Sequence, residues 1–207
     1  MLFLMDLSKW YVAAAHFAER HALIIIIALG EAIISIGIGI EGLPLDVDVI
    51  IPILLGLIVI IALWWAYFDK NMSIVEKHAV ELRDLEQTVF AQRAYTYLHL
   101  PMIIGLIFFS LGVKKSVGHP HDVLNVVASA ALCGGLMLNL TAQICFLYMA
   151  TKQVGYIRLT AVFSLGVLLF FSCGLESLVV LILCSGIMVT LVIIEALVFK
   201  TQQPIAN

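Results

Sequence analysis

Six long apolar runs, separated by short polar segments, set the layout of the chain; they lie near residues 22–41, 49–68, 95–113, 123–148, 157–173 and 176–199. A helix that crosses a bilayer needs about 20 mostly apolar residues, and all six runs come close to that length. The fifth is the shortest, and the turn around Gly174 ties it to the sixth as a tight hairpin. Residues 71–93 follow another pattern. Ile74, His78, Leu82, Leu85 and Val89 recur every three or four residues, while Glu76, Lys77, Glu81, Arg83, Asp84 and Glu86 fall largely off that stripe. This spacing predicts an amphipathic helix lying along, or projecting from, the membrane, running on into the third span because no Gly or Pro interrupts it before Pro101. The expected organisation is one all-α, polytopic membrane domain. It comprises an interfacial segment (1–21), a first transmembrane hairpin (22–68), the amphipathic helix (69–94), four further spans (95–199) and a tail (200–207).

Composition agrees with this layout. Of 207 residues, 63% are hydrophobic and only 12% are charged, where a soluble domain carries about 25% charged residues. The mean hydropathy is +1.12. The formal charge of -3 is held by a few loops, and nothing resembles a basic nucleic-acid surface, so membrane lipid is the expected surrounding and nucleic acid is not an expected partner. Cys133, Cys145, Cys173 and Cys184 all sit in apolar runs with no C-x-x-C spacing. They read as small hydrophobes, with no zinc or redox motif and no cofactor implied. His119 and His121 form an H-x-H pair in a loop, too few ligands to indicate a metal. Met1–Trp10 has no basic segment ahead of its apolar residues and does not read as a cleaved signal peptide. Nine of the eleven Lys and Arg fall on the side of the N-terminus and two, Lys114 and Lys115, on the other. By the positive-inside rule both termini are expected in the cytoplasm of a multi-pass protein of the cytoplasmic membrane. Trp64, Trp65 and Tyr67 just before Asp69 suit a headgroup belt.

The candidate chemistry lies in polar residues within the spans. Glu31 sits in the middle of the first apolar run, where a carboxylate costs about 3 kcal/mol on insertion scales and is by default a functional-site hypothesis. His16, Arg20, Glu31 and Ser35 share one helical stripe, although Arg20 and Glu31 stand ~16 Å apart along it. In the third span Tyr95 and His99, and Arg93 and Tyr97, are one turn apart, and Pro101 crowds the carbonyl of Tyr97. Asn139 and Gln143 are one turn apart in the fourth. With the expected topology, Glu31, His99 and Asn139 lie ~15, ~9 and ~13 Å from the cytoplasmic edge. A shared polar layer of Glu31, His99, Asn139, Gln143 and Ser35 is therefore expected. An entrance formed by His16, Glu19, Arg20, His21, Arg93 and Tyr97 would lie on its cytoplasmic side. Asn and Gln at such positions also serve as interhelical glue, and Glu195, five residues from Lys200, can reach the interface.

The stretch HFAERHALIIIIALGEAI resembles the H-x-x-ERHGL…GE motif of the bacterial low temperature requirement protein A family. WWAYFD at 64–69 and YTYLHLPMIIGLIFFSLG at 95–112 resemble its later motifs, in the same order. The matching positions are His16, Glu19, Arg20, His21, Gly30, Glu31, Trp64, Asp69, Tyr95, Tyr97, His99 and Pro101, while Ala22 stands where the family motif usually has Gly. The resemblance implies an integral membrane protein linked by its family name to growth in the cold, and no particular reaction or substrate. It also implies the C-terminal half of a family member about twice this length, so a second half, a second protomer or a homo-oligomer is an expected kind of partner. The leading functional expectation is transport of a small ion or solute through the polar layer. A non-catalytic membrane sensor or interaction component using residues 71–93, and an intramembrane enzyme acting on a lipid-linked substrate, are the alternatives.

Overall fold

The computed structural model describes residues 14–69 and 71–202. The interfacial segment expected before Ala14 and the tail beyond Gln202 lie outside the described residues. Nine α-helices and two π-helical segments are described: α1 (Ala14–Ile38), α2 (Val47–Phe68), α3 (Asn71–Glu81), α4 (Asp84–Ala91), a π segment (Gln92–Tyr97), α5 (Leu98–Gly118), α6 (Val126–Ser129), a second π segment (Ala130–Gly134), α7 (Gly135–Thr151), α8 (Tyr156–Phe171) and α9 (Ser177–Gln202). The protein is an all-α membrane helix bundle, and a single isolated bridge, Val123 to Glu176, is its only β-type pairing among the described residues.

The helices begin and end where their sequences direct. Asp46 caps α2 by accepting from the Val49 N–H at 3.1 Å, and Asn125 caps α6 by accepting from the Ala128 N–H at 2.8 Å. Each satisfies one of the orphan donors of a helix start. Lys152 ends α7 in the left-handed region, at φ 57°.

α5 is the central post, packed on α1, α2 and α7, while α9 closes the bundle against α2 and α8. α5 and α7 cross with their backbones in contact. A Cβ on Gly105 would stand 2.5 Å from the Gly135 carbonyl oxygen, and one on Gly135 would stand 2.6 Å from that of Gly105. Small residues permit such close approaches within membranes. Elsewhere Gly39 is enclosed against Lys114, whereas Gly37 and Gly134 face open space.

Four differences from the expected layout have physical causes. The charged cluster His16–His21 is the opening of α1 itself, because nothing between Ala14 and the apolar run breaks a helix. The amphipathic helix is interrupted, since Arg83 is extended (φ -126°, ψ 152°) and separates α3 from α4. α3 buries Asn71, Val75 and Ala79 rather than the Ile74–His78–Leu82 stripe, so it lies in the bundle against α1, α2 and α7. Finally, among the described residues five helical stretches are long and apolar enough to cross a membrane, one fewer than the six apolar runs suggest, because α8 has only 16 residues.

Candidate functional site

Two polar clusters are buried at the end of the bundle where α3 lies. The first is aromatic and imidazole-based. Tyr67 comes from the last turns of α2, Tyr95 from the first π segment, His99 from α5, Phe146 from α7, and Phe17 and His21 from α1. The π turn stands directly before Pro101, whose missing N–H withdraws the partner of the Tyr97 carbonyl; π turns of this kind recur at functional sites. Tyr67 Oη and His99 Nε2 are 2.7 Å apart. Tyr95 stacks on His99 with ring centroids 5.6 Å apart, and the His21 ring lies 5.2 Å from that of His99. His21 Nδ1 is 2.8 Å from the Phe17 carbonyl oxygen. A carbonyl only accepts, so Nδ1 carries the proton and Nε2 is the acceptor of the neutral ring. His99 and Tyr95 are buried; among the described residues Tyr95 Oη has no hydrogen-bond partner, and His99 Nδ1 makes no well-formed bond, with the Ala94 and Tyr95 carbonyls near its ring.

The second cluster is a closed network that joins side chains of α3, α7, α8 and α9 to backbone carbonyls of α2 and α5. Asn139 Nδ2 donates to the Met102 carbonyl of α5 at 2.7 Å, and Gln143 Nε2 donates to Asn139 Oδ1 at 2.8 Å. Arg158 donates from one terminal nitrogen to Gln143 Oε1 at 2.8 Å. From Nε it donates to Glu195 Oε1 at 2.6 Å, and from its other terminal nitrogen to Glu195 Oε2 at 2.9 Å and to the Ala66 carbonyl at 2.8 Å. The Ala66 carbonyl, in the last turn of α2, also accepts from Asn71 Nδ2 at 2.8 Å. The Arg158 side chain is 4% exposed and that of Glu195 17%, so this is an ion pair inside the bundle in bidentate geometry.

The expected polar layer therefore divides. Asn139 and Gln143 join the Arg158 network, and His99 joins the aromatic cluster. Glu31 is exposed on the outer face of α1, and Ser35 beside it is half-buried. Of the expected entrance group, His21 turns inward to His99. His16 and Glu19 pair with each other at 3.4 Å on the surface, and Arg20, Arg93 and Tyr97 are exposed. Arg158 escaped the sequence reading, which counted it only toward orientation. The available signal was one unmatched cation and one unmatched anion, Glu195, in the last two apolar runs.

At the opposite end a third cluster is exposed. His121 Nδ1 is 3.1 Å from Glu176 Oε2, and its Nε2 is 3.4 Å from Asp48 Oδ1. Hydrogen bonds to these two carboxylates raise the His121 pKa above its ordinary 6.5. His119 pairs with Asp122 at 3.1 Å, and among the described residues no three His, Cys, Asp or Glu side chains converge as a metal site. The cysteines differ from one another: Cys133 and Cys184 are buried with their sulfurs 3.7 Å apart, while Cys145 and Cys173 are exposed on the outside of the bundle.

Comparison with known proteins places this arrangement. An uncharacterized protein of Rhizobium meliloti (strain 1021), RA0937, is 30% identical over 147 residues, which make up 68% of this chain and 34% of that protein. The chain thus matches about a third of the length of that curated relative. No solved structure matches. The description of the bacterial low temperature requirement A protein family fits residues 2–193, and the chain belongs to that family.

Proposed function

We propose that the bundle transports a small ion across the cytoplasmic membrane, with the proton as the ion its buried groups are suited to carry. The observation that supports this reading is the pair of polar atoms, His99 Nδ1 and Tyr95 Oη, buried within the spans without a well-formed hydrogen bond among the described residues. Leaving such a group unpaired costs about 1–3 kcal/mol, and functional sites are where such costs persist. His21, half-buried at the start of α1, is the step between the surface and His99, and Tyr67 is the next hydroxyl inward. A proton held on His21 Nε2 passes to His99 Nδ1, and the doubly protonated His99 ring is held by donating its Nε2–H to the Tyr67 oxygen. The Arg158–Glu195–Gln143–Asn139 network holds α7, α8 and α9 in register around this path. The α3 end faces the cytoplasm in this reading, in keeping with the excess of Lys and Arg on that side.

The test is proton flux in proteoliposomes for the wild type and His99→Gln. Glutamine retains a hydrogen bond to Tyr67 but cannot be protonated near neutrality. Flux falling to the level of empty liposomes in a folded variant is the expected result. Unaltered proton flux in His99→Gln overturns the path through His99.

A further inference from the structure

The turn between α1 and α2 lies at the end of the bundle away from α3, and one imidazole fastens it there. Residues 42–48 cross from one helix to the next with Leu45 and Val47 exposed. Asp48, in the first turn of α2, meets His121 Nε2 at 3.4 Å. The other ring nitrogen, Nδ1, meets Glu176 at 3.1 Å. We propose that His121 is a pH-operated latch, which holds residues 42–48 against the 119–122 loop when the ring carries two protons and releases them when it carries one. The inference rests on the fold alone and is independent of the transport reading.

Proton count is the first reason. A carboxylate only accepts, so both contacts need an N–H, and only the imidazolium has two. The neutral ring keeps one donor and must give up one carboxylate, to which it then presents a lone pair. Asp48 is the one released. Its contact is the longer, and the backbone fixes the Glu176 segment to the His121 loop. Leu124 N–H donates to the Leu175 carbonyl at 3.2 Å, Ser177 N–H to that of Asp122 at 2.9 Å and Leu178 N–H to that of Pro120 at 2.9 Å. Hinges are the second reason. Pro52 stands four residues beyond Asp48 within α2. It has no N–H to offer the Asp48 carbonyl, and its ring crowds that carbonyl, so the first turn is loosely tied to the helix behind it. At the other end of the segment Gly42 is left-handed, at φ 79°, a conformation that glycine enters and leaves at little cost.

The surrounding charges leave the latch to His121. His119 pairs with Asp122 on the same loop, Asp46 is occupied as the cap of α2, and Glu41 is exposed ahead of the segment. Lys115 lines a small cavity with His119 and Asp122, and Lys114 packs beside Gly39 at the end of α1. Glu176 and Asp48 together raise the His121 pKa above its ordinary 6.5. The latch is therefore closed below that ordinary value and opens as pH rises through the raised one. Surface ion pairs are individually weak, which lets the segment exchange between held and released states.

The experiment measures the distance between spin labels on Leu45→Cys and on Val127→Cys in α6, both exposed positions. The protein is reconstituted in liposomes with Cys145→Ser and Cys173→Ser, which remove the exposed thiols. With His121 intact, the distance distribution should be narrow at about pH 5 and broad at about pH 9, with a midpoint above about 6.5. His121→Ala should be broad at both. Asp48→Asn should lose the pH dependence, since an amide accepts from the imidazolium and donates to the neutral ring. A distribution unchanged by pH with His121 intact, a His121→Ala protein equally narrow in acid, or a pH dependence that survives Asp48→Asn each overturns the proposal.

Discussion

The two buried clusters at the α3 end are equally sheltered yet differ in how their polar atoms are used. Around Arg158, charge and hydrogen bonds close on one another: a guanidinium meets a carboxylate, a glutamine and the Ala66 carbonyl near the end of α2. Around His99, two polar atoms remain without a well-formed hydrogen bond among the described residues. The contrast teaches that burial alone does not separate architecture from chemistry, whereas an account of donors and acceptors does. The closed network should act on stability and the open one on activity.

The largest expected effect is at Arg158. Arg158→Leu leaves Glu195 as an uncompensated buried charge and should cost about 3–5 kcal/mol in equilibrium unfolding in mixed micelles. The double variant Arg158→Leu, Glu195→Leu should recover most of that loss, since a buried pair replaced by apolar groups is often neutral. A double variant as unstable as the single one would break the claim that the network is structural. Next is Gly105→Ala, whose methyl meets the Gly135 carbonyl oxygen and backbone N of Asn139. Overpacking of this kind should cost about 1–3 kcal/mol in the same assay. Tyr67→Phe removes the bond to His99 and should cost about 1 kcal/mol while lowering proton flux. Tyr95→Phe sharpens the contrast most. It deletes a hydroxyl that has no partner, so stability should change by no more than about 0.5 kcal/mol, while proton flux in liposomes falls. A Tyr95→Phe protein with wild-type flux would place Tyr95 with the architecture. The smallest effect is at His121, outside both clusters. Its folded-state pKa is raised, so its contribution to stability is present below the unfolded value near 6.5 and is lost as pH rises through the folded value. His121→Gln should therefore lower the melting temperature slightly in acid and leave it unchanged in mild alkali.

The bundle was legible because apolar runs of membrane length are among the strongest signals a chain carries, and because Pro101 announces local disruption of its helix. The division of the polar residues was less so. Helical spacing places Glu31 and Ser35 on one stripe but cannot say which stripe faces the bundle, since isoleucine and leucine occupy both sides of α1 and lipid is as apolar as a protein core. Asn139 and Gln143 could be read as a pair, but their tie to Arg158 depends on how α8 returns along α7, which no local pattern encodes. α3 illustrates the same limit. Its charged positions announce a surface helix, while contact with three neighbours draws Asn71, Val75 and Ala79 inward.

The brevity of α8 ties this protein to the thickness of its membrane. Sixteen residues reach ~24 Å, against a hydrocarbon layer of about 30 Å. A helix of this length crosses only where the bilayer thins or the helix ends are dragged inward, at a fraction of a kcal/mol per Å of mismatch. Arg158 sits at one of those ends. Cooling orders acyl chains and thickens the bilayer, which raises this elastic load on the ion pair that anchors α8 to α9. A short apolar helix tied to its neighbour by a buried ion pair is thus where the state of the lipid would bear on the register of α7, α8 and α9.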